Sequence, residues 1–275
     1  MSNQTETINA KTNVSVLLPF QSISNIRDMA GIENREGRLV KKGCLFRSAS
    51  LHHASDLDLN TLEGLGLSDV VDLRTSAEVM MEPDRLLPSM ALHNFHVLTE
   101  KDGKQAAGSD EQMVKEAVDD LPLLLEQLYR EMISSKSGQK AWRDYFDVLL
   151  DAKGGVLWHC TQGKDRTGIA AALLLLALDV AEESVLADYL STNAYLKDQY
   201  EAKKERITGI FGTRETKMLK DLEAYMTVRP EYFAAAKDEA VKGWGSWQGY
   251  LTEALGVDEE KREFLKEKYL FTSEV

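Results

Sequence analysis

Short apolar runs closed off by polar or turn-forming residues alternate along this chain with longer stretches of helical periodicity. The runs near Val14 to Leu18, Leu45 to Arg47, Asp69 to Leu73, Ala91 to Leu98 and Val156 to His159 predict strands. From Gln112 to Leu150 the spacing predicts two amphipathic helices. The second carries Ala141, Trp142, Tyr145, Phe146, Leu149 and Leu150 on one face and stops at Gly154-Gly155. Ile169 to Leu178 contains only Ile, Ala and Leu, apolar on every side. Such a segment suits a helix at the centre of a domain and is well short of the roughly 18 residues of a membrane span.

Everything after Val185 reads as helical. Glu182 to Arg206 and Arg214 to Met226 form a pair broken at Gly209 and Gly212, and Trp244, Trp247, Tyr250 and Leu255 give the last helices an aromatic face of the kind that packs a core. Thr99 to Glu111 reads as an exposed loop, and the polar Met1 to Asn13 as a disordered tail without the apolar core of a signal peptide. Strands alternating with helices predict an α/β fold with a central sheet flanked by helices, as one domain over residues 14–275.

Composition narrows the functions open to such a domain. With 275 residues, 43% of them hydrophobic, the chain is long enough for a sizeable core. A formal charge of −12 argues against general nucleic-acid binding. The two cysteines, Cys44 and Cys160, cannot build a disulfide framework. Cys44 reads as a small apolar strand residue, or alternatively as a partner that protects an oxidised nucleophile. The compartment is left open between the cytoplasm and export without a recognisable signal.

Cys160 stands in the run His159-Cys160-Thr161-Gln162-Gly163-Lys164-Asp165-Arg166-Thr167-Gly168, between a strand and the all-apolar helix. A loop ending on a helix N-terminus turns backbone N–H groups inward and forms a nest for an anion. Lowering a cysteine pKa from ~8.5 to about 5.5 requires roughly 4 kcal/mol of selective stabilisation. A helix terminus supplies at most about 2 kcal/mol of it, so Arg166, loop N–H donors and hydroxyl or imidazole hydrogen bonds must supply the rest. The planar fork of Arg166 can also grip two phosphoryl oxygens in line with the sulfur, and Thr167 is placed to donate to a departing thiolate. Thr161, Gln162, Gly163, Lys164, Thr167 and Gly168 are therefore the candidate substrate-binding residues.

The run His-Cys-x-x-Gly-Lys-Asp-Arg-Thr-Gly resembles the signature of the cysteine-dependent protein tyrosine phosphatase superfamily, and its Lys164-Asp165 pair is similar to that of a bacterial group of tyrosine/lipid phosphatases. Asn25-Ile26-Arg27-Asp28, Leu45-Phe46-Arg47-Ser48, Val71-Asp72-Leu73-Arg74, Ala187-Asp188-Tyr189-Leu190 with Asn193, and Val228-Arg229 with Glu231-Tyr232 extend the likeness over roughly residues 25–257. The resemblance implies a phosphocysteine intermediate, no metal or other cofactor, and substrates among phosphotyrosine, phosphoserine, phosphothreonine and phosphoinositides, the last by transient contact with a membrane surface. It also implies a helical lid over the site, here residues 182–228; padding of the sheet is the other reading of those helices.

A leaving group needs a proton, and the Trp-Pro-Asp of many superfamily members is absent from this sequence. The resemblance points to the loop aspartate, Asp165, with Asp72 as second candidate. The structural readings are a carboxylate holding loop N–H groups for Asp165 and a partner of Arg74 for Asp72. Strand alternation turns His159 away from the cysteine side chain, which gives it a structural role at the loop backbone. Lys164 reads either as a solvated loop lysine or as a cation at the pocket mouth that meets a second phosphate. His52, His53, His93 and His96 are too scattered to argue a metal site, and His93 and His96 read as packing. Three other functions fit parts of the pattern: an inositol polyphosphate phosphatase, a catalytically silent phosphate-binding module, and a rhodanese-like sulfur carrier.

Overall fold

The computed structural model describes residues 14–99, 120–211 and 216–272. The expected tail, nearly all of the expected 99–111 loop and the break at Gly212 lie outside these residues.

Six strands build the main sheet: β1 (Val16–Leu17), β2 (Arg27–Asp28), β4 (Leu45–Ser48), β7 (Gly155–His159), β5 (Leu67–Asp72) and β6 (Ala91–Asn94), in that spatial order. β4, β7, β5 and β6 run parallel, while β1 and β2 add on antiparallel. Ser48 and Asp72 flank His159 in register, so the carboxyl ends of the three central strands open on one crevice. This is where open α/β sheets place their ligands.

β7 is buried on both faces, which is why it reads as a continuous apolar run. Val156 and Trp158 face a large cluster with α3 (Leu121–Ser134), α4 (Lys136–Asp151) and α5 (Asp165–Ala177). Leu157 faces the other way, with Phe46, Val70 and Leu62 of α1 (Asp56–Gly64). α5 is buried from Arg166 to Ala177, the central helix that its composition predicts. Capping boxes at Ser55 and Thr75 start α1 and α2 (Ser76–Met81).

Several expectations are corrected here. The chain after Val185 is not wholly helical: β8 (Leu270–Thr272) pairs antiparallel with β3 (Arg38–Val40) in a separate two-stranded sheet. The segment expected as one helix over 182–206 is two, α6 (Glu182–Tyr195) and α7 (Lys197–Phe211), and Gly209 lies inside α7. α8 (Thr216–Met226), α9 (Pro230–Trp244) and α10 (Glu259–Tyr269) follow, and Trp247, Tyr250 and Leu255 pack into the main core. β6 stops at Asn94 rather than Leu98, and α4 stops at Asp151, before the glycines. No described helix is long and apolar enough to cross a membrane.

Candidate active site

β7 delivers Cys160 to the base of the crevice, and residues 161–164 turn the chain into α5. Gly163 makes the turn with φ +68°, where a Cβ would lie 2.4 Å from the Ser48 carbonyl carbon and oxygen. Only glycine fits that backbone and that approach. Asn25 Nδ2 donates to the carbonyls of Gly163 (2.8 Å) and Gln162 (3.2 Å), and Arg47 Nη2 donates to Gly163 O (3.1 Å). These contacts turn the Gln162 and Gly163 carbonyls toward Asn25 and Arg47.

Arg166 sits one residue into α5 and meets Glu78 of α2 fork to fork, Nη1 to Oε2 at 2.7 Å and Nη2 to Oε1 at 2.8 Å. Thr161 Oγ1 also donates to Glu78 Oε1. Burial disfavours the Glu78 carboxylate, yet Arg166 and Thr161 hold it well below the usual glutamate range, and Glu78 in turn keeps Arg166 fully charged.

Burial pushes the Cys160 thiol up. Arg166, together with the hydroxyl and backbone N–H of Thr167, overcomes that cost against a smaller opposing effect of Asp165, and the net shift is downward. The Thr167 hydroxyl is buried and has no hydrogen-bond partner. Cys160 is only 2% exposed. Cys160 therefore stands at the end of β7 beside the cationic Arg166, at the start of α5.

The two carboxyl candidates separate in space. Asp165 Oδ1 accepts a hydrogen bond from Tyr129 (2.6 Å), which Tyr189 supports (2.7 Å), and Oδ2 lies 3.3 Å from Lys164 Nζ. Its side chain is 21% exposed. Asp72 is fully buried, with both oxygens bound to Arg74 at 2.7–3.1 Å. Asp72 therefore has the position of a partner of Arg74.

Lys164 is not at the pocket mouth. It is 3% exposed, its Nζ donates to the Tyr225 carbonyl of α8, and it lies over the Tyr225 ring. His159 is buried behind the loop, Nδ1 3.2 Å from Cys160 O and Nε2 3.1 Å from Asp84 Oδ2. Gln162 contributes its carbonyl to Asn25, and Gly168 lets Tyr189 pack closely, since a Cβ there would lie 2.9 Å from that ring. His93 pairs with Asp69 at 2.8 Å, far from this chemistry on the edge strand. Cys44 is level with Gly155 on parallel strands, which puts it about 16 Å along the sheet from Cys160 at ~3.3 Å per residue. A disulfide needs Cα atoms within about 7 Å, so Cys44 cannot shield this thiol without rearrangement.

Glu78, Asn25, Arg47 and Asp84 escaped the sequence reading as site residues. Glu78 closes the Thr75-Ser76-Ala77-Glu78 capping box of α2, a local helix-start signal that carries no sign of a distant arginine.

A family model described as the tyrosine phosphatase family matches residues 18–271. A Cupriavidus necator protein assigned as a tyrosine-protein phosphatase is 34% identical over 88% of this chain and 85% of its own length. The triple specificity protein phosphatase PtpB of Mycobacterium tuberculosis is 31% identical over 84% of this chain and 91% of its own. The solved structure of P. aeruginosa TpbA covers 74% of this chain and 90% of its own at 17% identity, with a TM-score of 0.28, too loose a superposition to bear on the argument. Family match, relatives and loop geometry agree: the chain belongs to the tyrosine phosphatase family and is a phosphatase.

Proposed function

We propose that the protein hydrolyses phosphomonoesters through a phosphocysteine on Cys160, with phosphotyrosine as main substrate and phosphoserine, phosphothreonine and phosphoinositides as further classes. The observation that carries this reading is the Arg166 guanidinium, fixed fork to fork by Glu78 at 2.7 and 2.8 Å at the start of the helix that follows the Cys160 loop. The thiolate attacks phosphorus, the S–P bond forms and the ester P–O bond breaks, while Arg166 and the loop N–H groups hold the equatorial oxygens. Asp165 gives its proton to the leaving oxygen. It then takes one from the water that breaks the S–P bond, as Thr167 donates to the departing sulfur.

The breadth of substrate follows from the name of the mycobacterial relative, a triple specificity phosphatase. Against a preference for soluble inositol polyphosphates stands Lys164, which in the closed state is tied to Tyr225 and Asp165. The silent binding module and the sulfur carrier lose ground to the intact Cys160–Arg166 pair.

Access requires motion, because Cys160 is nearly sealed. We assign the lid to α7 and α8, which share a small cluster of Ile207, Leu222 and Met226 and touch the loop region through Lys164–Tyr225 and Gln199–Ser24. α6, inside the 182–228 span expected of the lid, is anchored: Asp188 is buried and holds Arg47 (3.0 Å) and the hydroxyl of Ser15.

Specific activities on phosphotyrosine, phosphoserine and phosphothreonine peptides, mono- and bisphosphorylated phosphoinositides and phytate test the reading, with Cys160→Ser as the control. Turnover of phosphotyrosine peptides above all others, lost in the control, is expected. A preference for phytate, or activity surviving Cys160→Ser, overturns it.

A further inference from the structure

Asp165 is held from two sides by unlike partners, one fixed in the core and one tied to the lid. Tyr129 of α3 donates to Oδ1 at 2.6 Å, and Tyr189 of α6 donates to the Tyr129 oxygen at 2.7 Å. Lys164, whose Nζ also donates to the Tyr225 carbonyl of α8, lies 3.3 Å from Oδ2. The two phenols are at most 1% exposed, whereas the Asp165 side chain keeps 21% of its surface open.

Both tyrosines are seated by packing. Their rings meet edge to face at 6.2 Å, and Tyr232 of α9 lies against Tyr129 at 5.5 Å. Gly168 shares a face of α5 with Asp165, one turn on, and its missing Cβ, which would lie 2.9 Å from the Tyr189 ring, is what admits that ring. The last glycine of the loop run thereby serves a hydrogen-bond chain that ends on the aspartate. Burial, with the Asp165 carboxylate adding to it, pushes both phenols well above the ordinary tyrosine range, so both keep their protons.

The order of protons along this chain is forced. A carboxylate has none to give, so Tyr129 must donate to Oδ1; its oxygen is then left to accept, and Tyr189 must donate to it. Reversing the chain, with a proton on Oδ1, would leave the buried Tyr189 hydroxyl without an acceptor among the described residues. We propose that Tyr129 is a positioning residue for the proton donor, occupying Oδ1 so that Oδ2 is the oxygen that carries the proton and hands it to the leaving group. The proposal rests on Asp165 being the general acid. In the closed state Lys164 meets Oδ2; movement of α8 frees that oxygen, and Tyr129 then keeps the carboxyl aimed. The Oδ2–H bond breaks as the ester oxygen takes the proton, and the water that cleaves the S–P bond returns one to Oδ2.

Leaving-group dependence tests this, because a merely structural tyrosine would scale all substrates alike. The parameter is kcat/KM, which reads formation of the phosphocysteine, on phenyl phosphate with its poor leaving group and on a dinitrophenyl phosphate with a good one. A general acid contributes about 10²–10⁴-fold, and Tyr129→Phe keeps the acid while losing its orientation, so it should fall about tenfold more on phenyl phosphate than on the dinitrophenyl ester. Tyr189→Phe leaves the Tyr129 donor in place and should show the same asymmetry at smaller size, which keeps the proposal testable if Tyr129→Phe does not fold. Equal falls on the two substrates in a folded variant overturn the positioning role. Adding Tyr129→Phe to Asp165→Asn should widen the asymmetry no further, and a further widening would mean that Tyr129 acts elsewhere. If Asp165→Asn itself shows no asymmetry, the assignment of the acid falls and the proposal with it; asymmetry there and none in Tyr129→Phe overturns the positioning role alone.

Discussion

Glu78 and Arg166, 88 residues apart, bind through two nearly equal contacts of 2.7 and 2.8 Å that align the guanidinium plane toward the loop. Glu78→Gln keeps the shape and removes the charge. Misplacing a positioned group by about 1 Å costs on the order of 10²-fold, and steady-state kinetics should show a fall in kcat/KM of that size. The same pair links stability to acid. Because the folded carboxyl is held below its unfolded value, its contribution is present above the ordinary glutamate range and is lost as pH falls through the folded value, so acid melts of wild type and Glu78→Gln should converge.

Cys160→Ser should abolish turnover of an aryl phosphate with the fold intact by circular dichroism. Arg166→Lys should lower kcat by about 10²–10³, as loss of a preorganised transition-state donor does. Chelator is expected to leave both wild-type parameters unchanged, and a metal requirement would contradict the proposed chemistry.

Asp165→Asn should damage substrates with poor leaving groups far more than activated aryl phosphates, since only the former need the proton. Asp72→Asn should show no such asymmetry. Its cost falls on stability, because it leaves Arg74 with less compensation in a fully buried site. Equal leaving-group dependence in wild type and Asp165→Asn would remove Asp165 from the acid role.

Lys164→Met removes the donor that Tyr225 O accepts and keeps an unbranched side chain of similar length. Stopped-flow alkylation of Cys160 by a bulky maleimide should accelerate several-fold, because the lid loses its tie to the loop. An unchanged rate would place access elsewhere than α7 and α8.

Asp188→Ala strands Arg27 and Arg47 as uncompensated buried charges. Breaking a buried pair in this way costs about 3–5 kcal/mol, and chemical denaturation should read a loss of that size. Burial disfavours the Asp188 carboxylate, but the two arginines and Ser15 hold it below the usual range, so the penalty should shrink toward strongly acidic pH as the wild type itself loses the contact.

The sequence by itself determined what is local. Cys160, Gly163, Arg166 and Thr167 lie in one ten-residue run whose strand, turn and helix signals are contiguous, so the strand–loop–helix unit that carries them was legible before any fold. The all-apolar 169–178 segment could only be a buried helix, and β7 could only be a central strand, because short apolar runs with no polar face need cover on both sides. Tertiary structure decided what sets the charges of the site. Glu78 reaches Arg166 across 88 residues, Lys164 is capped by Tyr225 across 61, and Asn25 and Arg47 hold the Gly163 carbonyl across more than 100. β8 is likewise three residues whose strand state exists only through pairing with β3 near the other end of the chain. Local periodicity carries no information about such partners: a side chain's protonation and direction depend on what the folded sheet brings within a few ångströms, and that is a property of topology.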